Sequence, residues 1–217
     1  MRLRALVLVG VVALALAAAT TPSRAAPTSG SSVPRWVRTA VNRLAKLPVA
    51  PAGPMTGYSR AKFGRAWQDV DQNGCDTRDD ILHRDLKPFT LKLGSDCVVV
   101  SGDLNDPYTG KIIHFARGVA TSSAVQIDHV VALAAAWRTG AAKWRAHRRL
   151  VYANDPDVLL AVDGPSNNAK SDSDASEWVA PKYSCRYVAQ QLAIKKKYTL
   201  WLTQAEHDRM AELLASC

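Results

Sequence analysis

The chain has 217 residues, of which 47% are hydrophobic and 22% are charged, and its formal net charge is +9. Its length leaves room for one ordinary domain after an N-terminal leader, and no stretch reaches the roughly 20 apolar residues of a membrane-spanning helix, which excludes a membrane protein. A basic surplus suits a polyanionic partner, but a solvated basic face explains it equally well.

Residues 1–25 have the pattern of a secretory signal peptide. Arg2 and Arg4 precede an apolar run over residues 5–19, and a small-x-small cleavage site ends at Ala25. We therefore expect a secreted protein that has no membrane attachment after cleavage.

The next segment, residues 26–56, is predicted to be a leader and linker that contains one short helix. Apolar residues recur at helical spacing over 37–47, and a cluster of prolines follows. This assigns residues 57–217 to the domain.

Four cysteines, at positions 75, 97, 185 and 217, predict two disulfides in an exported chain. No two of them have the close spacing that a structural zinc site requires. Three pairings are possible, and we favour the sequential one, Cys75 with Cys97 and Cys185 with Cys217.

A hairpin is predicted in the N-terminal part of the domain. Residues 97–101 and 111–115 are rich in strand-forming residues, and residues 106–110 between them, Asp-Pro-Tyr-Thr-Gly, have turn chemistry.

A second strand pair and a helix are predicted further along. Strands at 124–131 and 159–162 flank an alanine-rich helical stretch at 132–150, which a glycine interrupts, and a helix capped by Ser166 begins at Asn167. This order of strand, connection, strand and helix is the ββα-metal layout.

The C-terminus is predicted to be a helical cap. Thr203 and Glu206 have the spacing of a capping box before an apolar helical stretch. The fold class is therefore α+β, with a ββα-metal core between the N-terminal hairpin region and the C-terminal helical cap.

Several motifs in this order resemble the HNH endonuclease superfamily, and more closely the secreted actinobacterial HNH proteins related to the C-terminal nuclease domain of GmrSD restriction enzymes. The resemblance covers residues 57–217. The motifs that carry it are IDHVVAL at 127–133, LLAVDG at 159–164, NNAKSD at 167–172, CDTR at 75–78 and YANDP at 152–156.

Phosphodiester hydrolysis explains why these residue types are needed, since it requires an activated water and a cation on the phosphate. A neutral His129 suits the general base, because its ordinary pKa allows it to accept a proton at physiological pH. Asp128 and Asn167 offer oxygen ligands for one divalent cation, for which we expect Mg²⁺ in preference to Mn²⁺. Asp128, His129 and Asn167 are thus the predicted catalytic residues.

Supporting roles are assigned to four other side chains. Lys170 lies three residues after Asn167 on a helix and is expected to approach a phosphate, as is Arg78. The resemblance predicts an asparagine at position 158 that ties down the loop between the strands, but the chain has Val158 there. We expect Asn154 or Asp157 to take over this structural role.

An alternative function rests on residues 69–80, whose oxygen side chains and central glycine fit a twelve-residue calcium loop. This predicts a non-enzymatic calcium-binding extracellular module. The last ligand position has aspartate in place of the usual glutamate, which counts against it.

The sequence thus favours a secreted, metal-dependent endonuclease that acts as a monomer on nucleic acid, with DNA preferred to RNA as the substrate. A cationic surface protein that acts only through charge is the third possibility.

Overall fold

The computed structural model describes residues 33–217, which contain seven α-helices, five strands and three short 3-10 helices. The predicted signal peptide lies outside these residues. The helices are α1 (Arg35–Leu44), α2 (Thr77–Asp85), α3 (Leu133–Arg138), α4 (Ala146–Ala153), α5 (Gly164–Lys170), α6 (Ser184–Tyr198) and α7 (Gln204–Ala215). The strands are β1 (Leu86–Leu91), β2 (Val99–Asn105), β3 (Ile112–Ala116), β4 (Val125–His129) and β5 (Leu159–Asp163).

Helix α1 packs against the two C-terminal helices α6 and α7. Its apolar residues Val37, Ala40 and Leu44 recur every three or four positions and are buried on one face. Ala40 and Leu44 share a core with Leu192 of α6 and Met210 of α7. Residues 33–217 form one compact unit, so α1 packs with the domain that was expected to begin at residue 57.

The sequential disulfide pairing is confirmed. Cys75 and Cys97, whose Cα atoms are 5.3 Å apart, connect the segment before α2 with the segment before β2. Cys185 and Cys217, with Cα atoms 6.0 Å apart, connect the first turn of α6 with the residue two positions after α7.

The predicted hairpin is confirmed as β2 and β3, but it belongs to a three-stranded antiparallel sheet in the order β1-β2-β3. The sequence reasoning missed β1 because Pro88 lies inside it, and proline has no N–H for a sheet hydrogen bond. The observed position explains the proline, since β1 is an edge strand.

Strands β4 and β5 form a separate antiparallel pair, and α5 follows β5 directly. The predicted strand–strand–helix order is thus observed. Helix α5 begins at Gly164 and not at Asn167, because Asp163 is the capping residue: its carboxylate accepts a hydrogen bond from the Ser166 backbone N–H at 2.8 Å. A Cβ at Gly164 would lie 2.1 Å from the backbone oxygen of Ser123, so only glycine fits.

Two side chains of α2 cover the free edge of β5. Arg84 donates to the backbone oxygens of Pro156 and Leu159 at 2.7 and 2.8 Å, and Asp85 accepts from the backbone N–H of Ala161 at 2.9 Å. These bonds satisfy backbone groups that a third strand would otherwise pair.

The interruption predicted at Gly140 is observed, whereas the capping box predicted at α7 needs correction. The stretch 132–150 forms two helices, because Gly140 between α3 and α4 has φ 140°, a conformation incompatible with a continuous helix. At α7 the Thr203 side chain accepts from the Glu206 N–H at 3.1 Å, as expected. The Glu206 carboxylate, however, binds Lys195 of α6 at 2.9 Å instead of completing a capping box.

Candidate active site

A cleft of about 500 Å³ opens where β4 ends and α5 begins. The predicted site residues Arg78, Asp128, His129 and Asn167 all line it. Adjacent residues of a regular strand face opposite sides of a sheet, but β4 ends at His129, and Asp128 and His129 both reach the cleft. Four further lining residues were missed by the sequence reasoning: Tyr58, Arg60, Trp67 and Gln126.

The ring of His129 is buried and is held by one backbone contact. Its Nε2 donates to the carbonyl oxygen of Ala153 at 2.9 Å. Because a carbonyl oxygen only accepts, Nε2 carries the proton, and the lone pair of the neutral ring is on Nδ1. Burial lowers the pKa of His129 to about 4, against the opposing effect of the Ala153 bond. The ring is therefore neutral at physiological pH and able to accept a proton.

The Asp128 carboxylate is held by one donor on each oxygen. Lys170 Nζ lies 2.9 Å from Oδ1, and the Tyr108 hydroxyl donates to Oδ2 at 2.5 Å. Burial raises the pKa of Asp128, and the neighbouring Lys170 ammonium opposes this effect. These two bonds fix the orientation of a carboxylate at the wall of the cleft.

The expected phosphate contact of Lys170 is wrong. This side chain is completely buried, and its ammonium donates to Asp128 and to the backbone oxygen of His129 at 3.0 Å. The spacing from Asn167 predicted the helix correctly but could not show that the side chain faces the protein interior.

Tyr108 reaches Asp128 from the turn between β2 and β3, which the sequence indicated only as a turn. Asp106 of this turn accepts from the Thr109 N–H at 2.7 Å and from the Asp163 N–H at 2.9 Å. The second bond attaches the turn to the end of β5 and so positions Tyr108.

Asn167 presents a side-chain oxygen from α5. Its Nδ2 donates to Oε1 of Gln126 at 2.8 Å, and within residues 33–217 no hydrogen bond uses its Oδ1. Each Asp128 oxygen also retains a lone pair beside its one donor. These oxygens suit a hard cation such as Mg²⁺, which keeps several water ligands.

Two arginines give the cleft positive charge. Arg78 is partly buried and donates to the Val125 backbone oxygen at 3.3 Å, and burial lowers the pKa of Arg78. Arg60 is exposed and lies close enough to contribute to the lowered pKa of His129. Both are placed to attract an anion.

The loop before β5 is held by the side chain of Asn154, one of the two residues expected there, and by that of Asp155. Asn154 accepts from the Gln68 N–H at 3.1 Å and donates to the Leu150 oxygen at 3.0 Å, so it connects the end of α4 to residue 68. The role expected for Asp157 belongs to Asp155, whose Oδ1 accepts from the Asp157 N–H at 2.9 Å. The Asp157 side chain is exposed and pairs with Lys197.

Val158 is buried in an apolar core cluster and makes its loop contact through the backbone. The Val130 N–H donates to its carbonyl oxygen at 2.9 Å. An asparagine side chain here would have to be buried among apolar groups, so valine fits this position.

Residues 69–80 are the calcium loop of the alternative interpretation. The side chains bond to one another and to the local backbone, as when Asn73 donates to Asp71 at 3.2 Å and to Asp80 at 3.0 Å. Throughout residues 33–217, no group of three or more histidine, cysteine, aspartate or glutamate side chains is arranged to hold a metal ion. The calcium-binding alternative has no support.

None of the helices in residues 33–217 combines the length and apolar character needed to cross a membrane.

Comparison with known proteins gives two matches. Residues 76–213 match the family described as GmrSD restriction endonucleases, C-terminal domain. The chain is also 37% identical over 183 residues to an uncharacterised secreted protein of Arthroderma benhamiae, an alignment that covers 82% of this chain and 85% of that protein. No solved structure matches.

Proposed function

This chain belongs to the family of GmrSD restriction endonuclease C-terminal domains, and we propose that it is a secreted, metal-dependent endonuclease of the HNH type. It hydrolyses phosphodiester bonds of nucleic acid, with DNA favoured over RNA, and acts as a monomer. The location outside the cell is supported by the two disulfides and by the secreted relative.

The observation that carries this proposal is the hydrogen bond from His129 to the Ala153 oxygen. It directs the Nε2 proton into the protein and leaves the lone pair on Nδ1. His129 then acts as the general base that takes a proton from the attacking water. The lowered pKa keeps this lone pair available at neutral and mildly acidic pH.

Asp128 and Asn167 would hold the divalent cation, and water would complete its coordination. When bound, the cation neutralises charge on the phosphate and on the leaving oxygen. Tyr108 and Lys170 hold the Asp128 carboxylate in place, and Gln126 holds the Asn167 amide. Arg78 and Arg60 draw the polyanion into the cleft.

The test is cleavage of plasmid DNA and of RNA by the purified mature protein with Mg²⁺, Mn²⁺ or EDTA. We expect EDTA to stop cleavage and either metal ion to restore it. His129→Ala should lower the rate about 10²- to 10⁴-fold, which is the usual contribution of a positioned base. His207→Ala on α7 is the matched control and should cleave at the wild-type rate. Full activity in EDTA, or in a folded His129→Ala variant, would overturn the proposal.

A further inference from the structure

A second, smaller cavity of about 140 Å³ adjoins the cleft at His129. Four residues line both cavities: Arg60, Trp67, His129 and Leu133. A group bound in the small cavity would therefore lie directly beside the proposed general base.

The walls of this slot are mostly apolar. Phe63, Leu133 and Ala153 contribute to it, and no carboxylate is among its lining residues. The arginines Arg60 and Arg65 also line it, and both are exposed. Its volume is well below the roughly 300 Å³ of a pocket for a drug-sized ligand. The small volume and apolar walls therefore suit one uncharged ring, and the two arginines suit an anionic group attached to it.

Trp67 is held in an unusual backbone conformation at this slot. Its φ is 55°, in the left-handed region that residues with a side chain rarely adopt. The next residue, Gln68, is fixed by bonds from its N–H to Asn154 and from the Thr77 hydroxyl to its carbonyl oxygen, at 3.1 and 2.6 Å. The surrounding contacts thus stabilise a strained position that places an aromatic side chain in both cavities.

We propose that this slot binds one unpaired base of the substrate, stacked on Trp67, while Arg60 binds the adjoining phosphate. This rests on the proposed nuclease function and names its substrate class: single-stranded nucleic acid, or a nucleotide turned out of a duplex. A paired base is stacked on both faces and cannot enter a slot of this size, whereas an unpaired base stacks readily on an aromatic side chain.

The test measures binding in EDTA, so that it does not depend on cleavage. Fluorescence anisotropy compares a labelled single strand, the same sequence as a duplex, and an abasic single strand with the same number of phosphates. We expect the intact single strand to bind on the order of tenfold more tightly than the other two.

Trp67→Ala should remove this preference, and Trp67→Phe should retain part of it because phenylalanine still stacks. Trp36→Ala is the matched control, since Trp36 is a half-buried tryptophan that packs on Arg186 and lines neither cavity. Ala66→Leu fills the slot and leaves Trp67 in place, so it should remove the preference even if Trp67→Ala does not fold.

Arg60→Ala should weaken binding of all three ligands alike and lower the slope of log K against log salt by about one.

Equal affinity of the wild-type protein for the three ligands would overturn the proposal, as would a preference that persists in folded Trp67→Ala or Ala66→Leu. A preference that depends on Trp67 in a protein without cleavage would refute the nuclease function and support the slot. Cleavage without that preference would support the nuclease function and refute the binding of a base in the slot.

Discussion

Two lysine–carboxylate ion pairs are buried within residues 33–217, and they differ in whether both carboxylate oxygens accept a hydrogen bond. Lys170–Asp128 borders the cleft, and Lys195–Glu206 joins α6 to α7; each has an N···O distance of 2.9 Å. Both Asp128 oxygens accept hydrogen bonds, because Tyr108 supplies a second donor. Oε1 of Glu206 is buried and has no partner among residues 33–217.

The difference indicates that one ion pair orients a site residue and the other connects two helices. A buried pair with an unsatisfied oxygen contributes little net stability, because desolvation offsets the attraction between the charges. A carboxylate at the wall of a cleft is oriented for a ligand when each oxygen accepts one hydrogen bond and retains a lone pair. We therefore expect the first pair to matter for activity and the second only for folding.

The largest effect is expected for Asp128→Asn, which should lower cleavage at least 10³-fold, about 4 kcal/mol in the barrier, through loss of the cation. Glu206→Gln is the matched control, because it also leaves a buried lysine without its anion. Both variants should lose stability, but Glu206→Gln should cleave at the wild-type rate below its melting temperature. Equal losses of activity, with circular dichroism showing folded proteins, would remove the distinction between the pairs.

A second comparison replaces each pair by apolar residues. Lys195→Met alone should cost about 3 kcal/mol of unfolding free energy, because Glu206 is left as an unpaired buried charge. Lys195→Met with Glu206→Leu should recover most of this loss in urea unfolding. A double variant as unstable as the single one would show that the pair in the helical cap is itself stabilising.

The pH dependence of stability should also separate the two regions, because His129 is the buried histidine within residues 33–217 and it lies at the cleft. Its pKa is lowered to about 4, so an unfolded chain takes up a proton near pH 6.5 that the folded ring does not accept. The stabilisation that the neutral ring gives the folded state is complete above that pH and decreases as the pH falls. The total loss is roughly 3 kcal/mol once the pH is below both pKa values.

His129→Gln keeps a donor for the Ala153 oxygen but does not titrate. The difference in unfolding free energy between wild type and this variant should therefore shift with pH between about 7 and 4. A constant difference across that range would show that the folded ring is protonated as easily as the unfolded one.

The smallest effect is expected for Tyr108→Phe, which removes one bond to Asp128 and should cost about 2 kcal/mol of stability. Tyr198→Phe is its control, since the Tyr198 hydroxyl donates to Asp155 at the same 2.5 Å distance. The stability losses should be similar, but only Tyr108→Phe should lower cleavage and raise the Mg²⁺ concentration needed for half-maximal rate. Identical kinetics of the two variants would limit Tyr108 to a structural role.

Local patterns predicted the strands that carry the site, because strand-forming composition and the order of the motifs are properties of short segments. Contacts between distant parts of the chain could not be predicted in this way. Tyr108 lies 20 residues before Asp128 and was interpreted only as part of a turn. Lys170 was placed on the correct helix, but whether its ammonium faces solvent or Asp128 depends on tertiary packing.

Helix boundaries failed for a related reason. Asp163 and Ser166 are both good capping residues, and the sequence alone gave no ground to choose between them. The close approach of Gly164 to the Ser123 oxygen and the Asp163 cap together put the start of α5 three residues earlier.

The side chains of Arg84 and Asp85 have a consequence for behaviour outside the cell. A two-stranded sheet with an open edge offers its backbone groups to strands of other molecules, which is a common route to aggregation. Arg84 occupies the Leu159 oxygen, and Asp85 occupies the Ala161 N–H. The strand pair that bears Asp128 and His129 is thereby shielded from edge-to-edge association along β5, by two residues of a neighbouring helix.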